Sequence, residues 1–441
     1  MKKSIMVLGA ALLLGGIASA QKVDFEEYNL DNGMHVILHN DPSAPVVVTS
    51  VMYHVGAKDE TPDRTGFAHF FEHLLFEGTK NIKRGEWSKI VTANGGVNNA
   101  NTTDDRTYYY EVFPSNNLEL GLWMESERML HPVINQIGID TQNGVIKEEK
   151  RTRMDNQPYG NFLTVVKENM FKKHPYRWMP IGSMNHLDAA TLEEFQAFNK
   201  KFYIPNNAVL VVAGQIDVAQ TKEWIQKYFG AIPKGETLIK QTFVEEPITQ
   251  TIKATYQDPN IQIPAIVTAF RTPSMKTRDA RVLDLISSYL SGGKSSKLYK
   301  KIVDEKKTAL EIGAFGLNQE DYGMYIIYGL PMTPFTSADL LKEIDEEIVK
   351  IQTNLISEKD FQKLQNTFDN LFVNTNANVE GIAENLAKYY MLYGDVKLIN
   401  NEIDLYHSIT REEIREVAKK YLNPNQRLIL DYVPSTEKAQ N

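Results

Sequence analysis

The chain repeats itself. FNKKFYIPNNAVLVVAG (198–214) lies over VAKKYLNPNQRLILDYV (417–433), each a helix end, a Pro-Asn turn and a strand. A repeat of roughly two hundred residues is too long for a solenoid unit and marks a duplicated domain. The 441 residues then divide into two domains, each large enough for its own core.

The first copy reads as GMHVILH (33–39) and PVVVTSVMYHVG (45–56) in strands, then helical periodicity over 66–77 and about 84–93. GGVNNANTTDDRTYYYEVF (95–113) reads as a Thr/Tyr-rich hairpin with Asp104 and Asp105 near its turn. Three or four helices follow to about Lys201, then a strand at 207–214 and a helix at 217–229. The second copy replays this with AIVTAFR (265–271), helices at 283–293 and 295–305, two strands and more helices. The expectation is an α+β fold with helices over one face of each sheet. Between the copies, residues 231–250 dissolve into Pro, Gly and charge and read as a linker joining domains 21–230 and 251–435.

Residues 1–20 are set apart as a signal peptide. Lys2 and Lys3 precede a short apolar run, and Ala18-Ser19-Ala20 supplies a small-x-small cleavage pattern. The expectation is an exported protein, periplasmic or secreted, with no membrane span once the signal is removed. The chain has no cysteine, so neither disulfides nor thiolate ligands are available, and a metal site must use His and carboxylates. The formal charge of −8 becomes −10 without Lys2 and Lys3, and no basic stripe is present, which argues against a nucleic-acid partner.

The chemistry gathers in GFAHFFEHLLFEGT (66–79). Four residues apart on a helix, His69 and His73 share a face and can point at a common atom. Glu72 lies beside them, placed to act on a water rather than to ligate. H-x-x-E-H is the inverted order of H-E-x-x-H and an established zinc-peptidase signature. A catalytic zinc needs a third protein ligand. NGVIKEEKRTR (143–153) offers Glu149, which shares a helical face with Val145 and Ile146; if both aliphatics face the core, Glu149 turns inward with them. Glu148 is the alternative that spacing leaves open. Aligning Gly78 on Gly292 places Leu283, Ile286 and Ser287 where the first copy has His69, Glu72 and His73, so the fold itself does not require the trio.

HFFEHLLFEGT, GGVNNANTT and VIKEE together resemble the pitrilysin/insulinase (M16) family of zinc peptidases, in its short, processing-peptidase-like branch (M16B). The resemblance covers essentially the whole mature chain and implies the duplicated LuxS/M16-like α+β architecture. It implies one zinc per chain on His69, His73 and Glu149, with Glu72 as general base of a metalloendopeptidase. It places Asn99 and Ala100 on the edge strand to which a peptide adds as a further strand.

The sequence departs from that pattern twice. Gln142 stands where family members often carry an acid, seven residues before the ligand Glu. Val303 and Leu310 stand where an Arg and a Tyr of the second copy complete family active sites. The resemblance therefore implies a second, related M16-type chain that supplies the Arg and Tyr, with a homodimer as the alternative assembly. A non-catalytic M16-type scaffold is the rival reading, disfavoured because all four metal-site residues are present. SGGK (291–294) lacks the companion motifs of serine enzymes, and His35 and His39 read as a surface or edge pair.

Overall fold

The computed structural model describes residues 22–43 and 45–435; the signal-peptide reading lies outside the described residues. The first copy contains strands β1 (Glu26–Asn29), β2 (His35–Asn40), β3 (Val46–Tyr53), β4 (Val97–Thr102), β5 (Thr107–Pro114) and β6 (Ala208–Gly214). Its helices are α1 (Phe67–Leu74), α2 (Trp87–Ala93), α3 (Leu118–Leu130) and α4 (Gln136–Lys150). They continue with α5 (Phe162–Met170), α6 (Met184–Ala189), α7 (Leu192–Phe202) and α8 (Val218–Phe229). Five helices, rather than three or four, thus lie between β5 and β6.

The second copy has strands β7 (Ile252–Asp258), β8 (Ala265–Pro273), β9 (Ala309–Leu317), β10 (Tyr322–Pro331) and β11 (Leu428–Pro434). Its helices are α9 (Arg278–Ser291), α10 (Ser337–Thr353), α11 (Glu358–Thr375), α12 (Val379–Lys388), α13 (Leu398–His407) and α14 (Arg411–Tyr421). The helix expected at 295–305 is largely a π-helical turn, Tyr299–Glu305.

The sheets run β1-β2-β6-β3-β5-β4 and β7-β11-β8-β10-β9, the same order apart from the extra β1. In each, the last strand of the copy lies parallel to one neighbour and antiparallel to the other. The repeat extends to its helix caps. Thr191 with Glu194 and Thr410 with Glu413 form capping boxes at the starts of α7 and α14, each satisfying two backbone N–H groups that the helix leaves free.

Helices cover both faces of each sheet, not one. The central strands are apolar on both sides, β6 being buried throughout, and a run of that kind needs cover on two faces. The second cover comes from the other copy. Val165, Val166 and Met170 of α5 pack on Val267, Met324 and Leu430 of the second sheet. Ile382, Ala383 and Leu386 of α12 pack on Val48, Val209 and Val211 of the first.

The tips of two equivalent hairpins meet at the seam between the copies. Glu320, in the β9–β10 turn, donates its N–H to Asp105 in the β4–β5 turn at 2.9 Å. Its carboxylate takes His54 Nε2 at 2.7 Å and Lys58 Nζ at 2.6 Å, and Lys167 reaches Asp104 at 2.7 Å. His35 and His39 are not a surface pair. Both are buried in β2, which lies inside the sheet between β1 and β6; His35 stacks on Tyr390 with ring centroids 3.7 Å apart.

Candidate metal centre

Helix α1 is fixed at both ends. The Glu60 carboxylate caps its start, accepting from Gly66 N and Ala68 N at 2.9 Å each, where the free N–H groups and the helix dipole favour an anion. Gly66 holds φ +99, and a Cβ there would meet Ile181 O at 2.9 Å, so only glycine lets the helix begin this close to the 181–182 loop. Near its end, Tyr109 Oη donates to Phe71 O at 2.8 Å. Phe67, Phe70, Phe71 and Leu74 pack into the first core, which turns the polar side chains of α1 towards α4 and the edge strand β4.

On that side the two histidines meet α4. Nε2 of His69 lies 3.5 Å, and Nε2 of His73 3.3 Å, from one oxygen of Glu149, Oε2. That oxygen is buried and makes no hydrogen bond, while Arg153 Nη1 holds the other carboxylate oxygen at 2.7 Å. The three ligand atoms lie within 4.8 Å of one another, the one such His/Asp/Glu cluster among the described residues. Ligands about 2.0–2.1 Å from a tetrahedral zinc stand about 3.3 Å apart, close to the 3.5 and 3.3 Å from the two histidines to Glu149 Oε2. Two imidazole nitrogens facing an unbonded carboxylate oxygen suit a borderline divalent cation.

The surroundings tune the set. Burial first, then the charge of His73, holds His69 down to about 4, which keeps a lone pair available at neutral pH. The neighbouring His73 and then the His69 charge hold the Glu149 carboxyl below its ordinary value. Glu72 differs: burial raises its carboxyl above the ordinary value, against the pull of Thr102, His73 and Arg106. Three carboxyl and imidazole groups suited to ligation thus stand beside one carboxyl biased towards taking a proton.

The inward turn of Glu149 does not arise as the sequence suggests. Ile146 is fully buried but Val145 is 44% exposed, so one aliphatic, not two, marks the inner face. Glu148 points outward and pairs with Arg151 at 2.7 Å. Asn99 and Ala100 lie on β4, a sheet edge packed against α1, where Ala100 N donates to Asn99 Oδ1 at 2.9 Å instead of to the ladder. Gln142 Nε2 donates to Glu77 Oε1 at 2.5 Å, a polar tie between α4 and the turn after α1. The equivalent region of the second copy carries buried Leu283 and Ile286, with Ser287 donating to Ala314 O at 3.3 Å. Val303 packs on the second core and Leu310 is 46% exposed on edge strand β9; neither side chain offers a donor. Glu60 and Arg153 escaped sequence reasoning, because neither belongs to a motif and their partners appear only once the helices are placed.

Two family models fit the chain in tandem. Residues 35–178 match Insulinase (Peptidase family M16), and residues 189–368 match the Peptidase M16 inactive domain. The chain belongs to the M16 peptidase family. Within it, zinc protease PqqE of Helicobacter pylori is 27% identical over 431 residues, covering 96% of this chain and 97% of that one. The uncharacterized zinc protease YmxG of Bacillus subtilis is 23% identical over 411 residues, 92% of this chain and 97% of the other. The crystal structure of a protease from Helicobacter pylori superposes with a TM-score of 0.88 at 26% identity, covering 94% of this chain and all of that one. The periplasmic protease PqqL of Escherichia coli shares the fold with a TM-score of 0.77 at 18% identity, over 96% of this chain and 49% of PqqL. Among the described residues no helix is long and apolar enough to cross a membrane.

Proposed function

We propose that this M16 chain is an exported zinc metalloendopeptidase acting on peptides or unfolded polypeptide segments. The observation that carries the reading is the unbonded Glu149 Oε2 facing both His69 Nε2 and His73 Nε2, with Glu72 one helical step away. His69, His73 and Glu149 would hold one zinc, and the Arg153 ion pair with the second Glu149 oxygen orients that carboxylate. Zinc bound there supplies Lewis acidity, acidifying water and polarising a scissile carbonyl.

Glu72 takes the proton from the attacking water and returns it to the leaving amine. Its raised carboxyl brings its proton affinity closer to the working pH than that of an exposed glutamate. Asn99 and Ala100 offer a free strand edge on which the peptide backbone pairs and is held in line. With no side-chain donor at Val303 or Leu310, oxyanion stabilisation falls to a related M16-type chain that would supply the Arg and Tyr, since another molecule of this chain would bring the same Val303 and Leu310.

The deciding experiment is Glu72→Gln. The variant should bind zinc in the same molar ratio as the wild type by elemental analysis, while peptide cleavage falls by about 10²–10⁴-fold. Near-normal turnover by the zinc-loaded variant would overturn the assignment. Adding the related partner chain should raise cleavage by the wild type; full activity from the isolated monomer would show that no partner is needed.

A further inference from the structure

A cavity of about 670 Å³ opens between the two copies, beyond the Thr103–Arg106 turn that ends β4. Its walls are largely apolar, with Leu163, Met179, Phe368, Leu371, Leu392 and Tyr393 among them. Almost every charged group in the lining is matched. Lys167 pairs with Asp104 at 2.7 Å, Arg106 with Glu384 at 3.0 Å, Asp105 with Lys58 at 2.9 Å and Glu402 with Arg281 at 2.9 Å. Asp284 accepts from Tyr406 Oη and Asn318 Nδ2, both at 2.7 Å.

Lys388 is the exception. It ends α12 inside this lining and makes no hydrogen bond or ion pair among the described residues; its ammonium lies 5.4 Å from the Tyr389 ring centroid. Burial holds that ammonium below the ordinary lysine value, against the attraction of the Glu384, Glu402 and Asp284 carboxylates and with Arg106 adding repulsion. None of these carboxylates comes within bonding distance of the ammonium, and a carboxylate in the cavity would supply the hydrogen bond it lacks. Directly after Lys388 the helix widens into a π-helical turn, Tyr389–Tyr393, whose Tyr389, Leu392 and Tyr393 line the same cavity. Turns of this kind occur frequently at functional sites.

We propose that the cavity binds an apolar monocarboxylate, with its carboxylate on Lys388 and its hydrocarbon against Phe368, Leu371 and Tyr393. The volume falls within the range of small-molecule sites. A free fatty acid and the C-terminal carboxylate of a short apolar peptide share this chemistry. The residues that would hold the ligand, Lys388, Phe368, Leu371 and Tyr393, lie outside the metal centre, and the inference does not rest on the peptidase reading.

The test is calorimetric titration of the full chain with octanoate and with acetyl-Leu-Phe, each against a neutral counterpart, octanol and acetyl-Leu-Phe-amide. At least one carboxylate should bind tenfold or more tightly than its neutral form, and which of them does so distinguishes the two sources. Lys388→Met should remove that preference and Lys388→Arg should keep it. Leu371→Trp, which fills the cavity from its rim, should weaken acid and neutral probes alike. Equal binding of acid and neutral forms, no binding of either acid, or an unchanged preference in Lys388→Met would overturn the proposal.

Discussion

Glu149 and Glu148 are chemically the same and adjacent in sequence, yet their surroundings make them opposites. Glu149 turns one oxygen to both histidines, while Glu148 faces solvent against Arg151. Glu149→Ala should therefore abolish stoichiometric zinc binding, and Glu148→Ala should leave it unchanged, as elemental analysis after dialysis would report. The histidine pair was legible in the sequence because a four-residue spacing fixes a shared helical face whatever surrounds it. The third carboxylate was less so. Neighbouring helical residues point about 100° apart, and an aliphatic pair such as Val145-Ile146 does not say which member is inside. Packing against α1 chose Ile146, and Glu149 follows from that choice, three residues on.

Among the elements, α1, α4 and β4 carry the candidate chemistry, and α1 is held at both ends by residues outside it, Glu60 and Tyr109. The strands and the hairpin were legible from Val- and Tyr-rich runs, since alternation and turn residues act locally. The π-helical turn at Tyr299–Glu305 was not, because its apolar spacing is also that of an ordinary helix. The outward N–H of Ala100 gives a specific expectation. It makes no ladder bond, so Ala100→Pro should cost about 1 kcal/mol or less in stability, as proline is tolerated on an edge strand. The same change removes a donor that an added peptide strand would use. KM for peptides should rise severalfold with zinc content unchanged; an unaltered KM would show that peptides do not pair at this position.

At the scale of the whole molecule, the seam around Glu320 ties the two copies together. His54, Lys58, Lys240 and Lys276 face its carboxylate, with Asp105 and Asp321 close by. The contacts from His54 and Lys58 hold Glu320 well below the carboxylate value of 4.5, against the effect of burial. A depressed acid contributes its stability above its unfolded value and loses it as the pH falls below that value. Chemical denaturation should thus show stability falling from about pH 4.5 downward. Glu320→Gln should cost about 3 kcal/mol at neutral pH and make the acid limb shallower. The duplication was legible in sequence, but this seam was not, since its residues are brought together from turns that no local pattern connects.

The exchange of α5 and α12 bears on how such a molecule can come apart. Each copy lacks one cover for its own sheet, so a gene fragment encoding either copy alone should yield aggregating protein with an exposed apolar face. Interrupting the chain at Ile239, which is 92% exposed in the segment joining the copies, should be tolerated when both pieces are made together. The two pieces should copurify and melt as a unit. On this view the covalent link is a tether, the copies embrace much as a helix-swapped dimer does, and a single ancestral unit would have needed a twin in order to fold.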